Sequence, residues 1–151
     1  MRTVTEELTA SWFGWPVRTF EAALSAFCDG RPVRVLTSAT AAVEVALQLC
    51  GIGPGDEVIT SAQSFFTVPN MIAKVGATPV YVDCDLVTRN IDLAAVEAAI
   101  TPRTRLIVVN TPNNPGTSVL AAADLAALAE VTRGTPVVVI GDEVYEHMVY
   151  D

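Results

Sequence analysis

The chain has 151 residues, of which 51% are apolar and 17% charged, enough for one sizeable hydrophobic core and too apolar for intrinsic disorder. Lys and Arg total 9 against 17 Asp and Glu, a formal net charge of −8; such a surface lacks the cationic footprint that nucleic-acid backbones and anionic membranes select, so neither is an expected partner. Cys28, Cys50 and Cys84 are widely spaced and His147 is the only histidine, so no metal site is expected and the free thiols suit a reducing, cytoplasmic location.

No apolar run approaches the roughly 18 residues of a membrane span. Residues 1–10 carry Glu6 and Glu7 and no apolar core, so no signal peptide is expected there. Residues 1–18 read as an irregular segment, with Trp12, Phe13, Trp15 and Pro16 close together; the domain proper is expected over 19–151. From Thr19, apolar Phe20, Ala23, Leu24 and Phe27 recur at helical spacing, and Gly30 can close that helix. Residues 33–37 (VRVLT) read as a first strand. A second helix follows, with Val43, Ala46, Leu47 and Cys50 on one face and Gly51 at its end. Gly53, Pro54 and Gly55 turn into a strand over 57–60. The spacing predicts a helix over 67–74, with Pro69 in its first turn and Gly76 beyond it. A strand over 79–82 comes next, then Asp92 as N-cap of a helix over 93–100. Strand 105–109, helix 122–132 and strand 136–140 complete the pattern.

Strand and helix alternate, which predicts an α/β fold with right-handed crossovers. Residues 106–109 and 137–140 are continuously apolar. Such runs suit parallel strands covered on both faces by helix layers, a three-layer αβα arrangement of about five strands.

Ligands of open parallel sheets bind beyond the carboxyl ends of the strands, so the residues there carry the functional reading. Ser38, Ala39 and Thr40 open a helix, where free N–H groups suit an anion; plain capping is the alternative. Gln63, Ser64, Phe65 and Phe66 offer an aromatic that either stacks on a flat ring or joins the core. Residues 110–117 (NTPNNPGT) make a rigid polar loop, functional or simply satisfying its own backbone. Asp142 leaves an apolar strand, where a carboxylate is costly to desolvate unless something meets it. Four apolar residues followed by Asp142-Glu143 also suggest a P-loop ATPase strand. That reading needs an earlier GxxxxGK[ST], and the only lysine, Lys74, stands between Ala73 and Val75. Residues 51–55 (GIGPG) follow a helix and precede a strand, the reverse of a dinucleotide-binding turn.

Together, Asn110-Thr111-Pro112-Asn113-Asn114-Pro115, Asp142-Glu143-Val144-Tyr145 and Tyr150-Asp151 resemble the class I/II aminotransferases, pyridoxal 5'-phosphate (PLP) enzymes of fold type I. GIGPGDEVIT at 51–60, GATPVYVD at 76–83, Asn90-Ile91-Asp92 and ITPRTR at 100–105 are similar to the nucleotide-sugar aminotransferases of the same fold. The resemblance spans about residues 20–151 and implies transamination between an amino donor and a keto acceptor, commonly in a homodimer. It implies that Asp142 pairs with the pyridine nitrogen of PLP and that Asn114 and Tyr145 hydrogen-bond its phenolic oxygen. It further implies that Phe65 stacks on the ring and that Ala39 and Thr40 cradle the phosphate. In the family the Schiff-base lysine and the substrate-carboxylate arginine lie downstream of Asp-x-x-Tyr, outside these 151 residues. No catalytic residue is therefore assigned, and Lys74 is expected to be a surface charge. The resemblance thus implies an N-terminal portion of the family's large domain, inactive by itself. The mean hydropathy of +0.42 suits a core segment that folds poorly alone. The alternative is a non-catalytic binding or assembly module derived from this fold. Amino acid and nucleotide sugar both stay open as substrates.

Overall fold

A computed structural model describes residues 15–148. Trp12, Phe13, Tyr150 and Asp151 lie outside them, and with them the expected N-terminal aromatic cluster. The chain divides into two compact units between Thr37 and Ser38.

In the first unit, helix α1 spans Trp15–Phe27, starting ahead of the expected Thr19. Pro16 sits in its first turn, where a missing N–H is harmless. Gly30 closes the helix region with φ +77°, a conformation that favours glycine. The expected first strand, 33–37, forms no strand and belongs to no ladder. A donor that a strand would offer a neighbour is already taken, since Val35 N–H donates to Glu21 Oε1 at 2.9 Å.

The second unit holds a four-stranded parallel sheet rather than five strands, in the order β2-β1-β3-β4. Its elements are α2 (Ala39–Leu49), β1 (Glu57–Ser61), α3 (Thr67–Lys74), β2 (Thr78–Val82), α4 (Leu93–Ala99), β3 (Thr104–Asn110), α5 (Ala122–Thr132) and β4 (Val138–Asp142). Alternate side chains of the central strands point to opposite faces. Val58, Leu106 and Val108 pack with Leu47 of α2 and with Val68 and Ile72 of α3. Ile59, Ile107 and Val109 pack with Val96 of α4 and Leu128 of α5 on the other face. The expected three layers are therefore present. The path reverses direction after β2, and right-handed crossovers then put α3 and α4 on opposite faces.

Local chemistry fixes the element ends. Asp92 caps α4, accepting from Ala94 N at 2.9 Å and Ala95 N at 3.3 Å. Gly76 ends α3 at φ +88°, and a Cβ there would lie 3.0 Å from Pro54 Cγ. At the amino end of β1, buried Glu57 accepts from Thr101 Oγ1 at 2.5 Å and from Arg103 Nε at 2.9 Å. β3 is buried as its apolar run predicts, but β4 is not: Val138 and Val139 are 44% and 38% exposed. Among the described residues β4 stands at the edge of the sheet.

Candidate active site

All of the predicted site residues line one cavity of about 270 Å³ at the carboxyl ends of the strands: Ala39, Thr40, Phe65, Asn114, Asp142 and Tyr145. They come from the start of α2, the turn after β1, the loop after β3 and the end of β4. β1 and β3 lie side by side with their following crossovers on opposite faces, which opens a crevice between the loops.

The first four N–H groups of a helix lack intrahelical acceptors. Ser38 serves one of those in α2, its Oγ accepting from Ala41 N at 3.1 Å, while its carbonyl takes the first regular helix bond from Ala42 N at 3.0 Å. The amides of Ala39 and Thr40 have no intrahelical acceptor and stand at the positive end of the helix dipole. Phe65 is 48% exposed and rests against Phe66, ring centroids 4.4 Å apart. It is an open aromatic face rather than a core residue.

The loop after β3 is tied down by Asn110. Its Oδ1 accepts from Asn114 N at 2.6 Å, and its Nδ2 donates to the Asp142 carbonyl at 2.9 Å. Thr111 N donates to the same carbonyl at 3.1 Å. Asn110 and Asp142 are ladder partners, so one side chain sets both the loop and the strand end. Asn114 Nδ2 stands 3.5 Å from Tyr145 Oη, which places an amide donor and a phenol side by side on the wall. The half-buried Asp142 carboxylate has no hydrogen-bond or ion-pair partner among the described residues. A carboxylate so placed favours a cationic or N–H-bearing ligand atom.

Reading the sequence missed Asn110, Val43, Thr67, Val68 and Val144 on the cavity wall. Asn110 was read only as the first residue of the polar loop 110–117, without a role of its own. The others read as ordinary helix or turn positions. Lys74 is absent from the wall; its Nζ pairs with Glu44 Oε2 at 2.7 Å, the surface role expected of it.

The wall thus combines two helix-start amides, an aromatic face, an unpaired acid and an amide–phenol pair. This donor set fits a planar heteroaromatic ring carrying a phosphate, a hydroxyl and a basic nitrogen. The sequence pattern of the DegT/DnrJ/EryC1/StrS aminotransferase family matches residues 1–144. The chain belongs to this family. The spore coat polysaccharide biosynthesis protein SpsC of Bacillus subtilis is 46% identical over 110 residues, 72% of this chain and 28% of that protein. The 3-amino-5-hydroxybenzoate synthase of Amycolatopsis mediterranei is 37% identical over 134 residues, 89% of this chain and 33% of that one. The structure of N-succinyldiaminopimelate aminotransferase from Mycobacterium tuberculosis superposes with TM-score 0.76 at 36% identity, over 90% of this chain and 37% of that chain. The fold is therefore that of the fold type I aminotransferases. The chain spans about a third of the length of these relatives. Members of the DegT/DnrJ/EryC1/StrS family generally use pyridoxal phosphate.

Proposed function

We propose that the cavity is a PLP site and that the protein it belongs to transfers an amino group from an amino donor to a keto acceptor. The observation that carries this is the convergence of the helix-start amides, aromatic face, free acid and amide–phenol pair on one cavity. In this reading the amides of Ala39 and Thr40 hold the phosphate, Phe65 covers the ring, and Asn114 and Tyr145 donate to the phenolic oxygen. Asp142 keeps the pyridine nitrogen protonated, which a facing carboxylate favours. So held, the cofactor supplies an electron sink for the carbanion formed at the substrate's α-carbon.

The reading extends to a homodimer in the cytoplasm. Aminotransferases of this kind are often dimeric, and the three unpaired cysteines suit a reducing compartment. Among the described residues, no helix is long and apolar enough to cross a membrane.

The test is spectroscopic. PLP is added to the protein, followed by an amino-acid donor. A protein-dependent shift of the visible band to the pyridoxamine form is expected in the product of the complete gene. A spectrum identical to that of PLP and donor without the protein would refute the reading and favour a non-catalytic module.

A further inference from the structure

We propose that Thr67 is a positioning residue for the anion end of the cavity, aiming the Thr40 hydroxyl at the phosphate; this rests on the PLP reading above. Thr67 opens α3 and is 7% exposed, yet it lines the same cavity as Thr40. The N-cap before it, Phe66, supplies no side-chain capping bond, so Thr67 marks a helix start whose sequence is not chosen for capping. A buried hydroxyl needs a partner. Among the described residues its partner is Thr40, Oγ1 to Oγ1, at 3.4 Å.

The direction of that bond follows from the ligand. Phosphate oxygens only accept, so the Thr40 hydroxyl must donate to them. Its lone pairs then turn to Thr67, which donates in its own turn. β-Branching restricts χ1 of both residues, so neither hydroxyl wanders far. The relay Thr67 O–H to Thr40 O–H to phosphate oxygen polarises in one sense, and each bond strengthens the next. A separation of 3.4 Å is longer than the usual O–H···O distance, which leaves the Thr40 hydroxyl able to turn until an anion orients it. The lone lysine adds no charge here, because it is paired with Glu44 and lies off the wall.

The test compares PLP with pyridoxal, which has the same ring and no phosphate. Dissociation constants of both are measured by absorbance titration of the apoprotein, expressed from its complete gene, for wild type, Thr67→Val and Thr67→Ser. Thr67→Val should weaken PLP about three- to tenfold, the range of one indirect hydrogen bond, and leave pyridoxal unchanged. Thr67→Ser should restore PLP binding. In a Thr40→Val background, Thr67→Val should cost nothing further. Equal losses for both ligands would make Thr67 merely structural and overturn the proposal, as would no loss at all. A wild-type protein that binds neither ligand overturns the PLP reading. A wild-type protein that binds PLP, with a ratio of PLP to pyridoxal affinity that Thr67→Val leaves unchanged, overturns this proposal alone.

Discussion

Asn110 offers the sharpest test of how the site is built, because one side chain holds two walls of the cavity. Replacing it by alanine removes the acceptor for Asn114 N, now at 2.6 Å, and the donor to the Asp142 carbonyl, now at 2.9 Å. The two ends are unequal. The Asp142 carbonyl keeps Thr111 N at 3.1 Å and so stays paired. Asn114 N has no second acceptor among the described residues, and a partly buried donor left alone costs about 1–3 kcal/mol. Asn110→Ala should therefore lower stability by roughly 1–2 kcal/mol, most of it from the Asn114 end. It should also weaken PLP by more than that loss explains, because Asn114 is released beside Tyr145. Asn110→Asp keeps the acceptor, loses the donor and adds a second carboxylate near Asp142; it should spare the loop and disturb the strand end. Urea denaturation of both variants gives the first quantity, and PLP titration the second. Equal stability of Asn110→Ala and wild type, with unchanged PLP affinity, would show that the loop holds its shape without this strap.

Three further outcomes follow from the geometry. The Thr101 hydroxyl and the Arg103 guanidinium hold the Glu57 carboxyl below its ordinary range, so its contribution to stability is full above that range and is lost as pH falls through the lowered value; urea midpoints between about pH 6 and pH 3 should fall more steeply for wild type than for Glu57→Gln. Asp92→Ala removes the cap that accepts from Ala94 and Ala95, and should cost about 1 kcal/mol in the same denaturation assay. Gly116→Ala would put a Cβ 2.6 Å from Asn113 Oδ1 and 2.8 Å from Arg89 Cβ; with Asn113 buried, about 1–3 kcal/mol of overpacking is expected, with weakened PLP binding as the neighbouring Asn114 shifts.

Much of the second unit was legible because its signals are local. The apolar run at 106–109, the strand over 57–60 after its Gly-Pro-Gly turn, the Asp92 cap and the helix over 67–74 needed only periodicity and turn chemistry. The residues after each strand could be read as a site because a parallel sheet gathers those ends at one edge. What stayed hidden was pairing. Residues 33–37 and 137–140 both look like strand interior. Among the described residues one is in no ladder and the other is an exposed edge, and no run of side chains states which neighbour a strand will have. Thr67 and Asn110 were missed as wall residues for a related reason: their partners lie 27 and 32 residues away.

The cavity wall draws on residues from Ala39 to Tyr145, and β1 takes its central neighbour β3 only after β2 and α4 have intervened. Such long-range pairing makes assembly slow, and the pocket exists only once it is finished. Whatever occupies it therefore selects the finished chain over every partly ordered form, and by mass action raises the melting temperature with ligand concentration. The coenzyme would then be as much a clasp on the architecture as a tool for its chemistry.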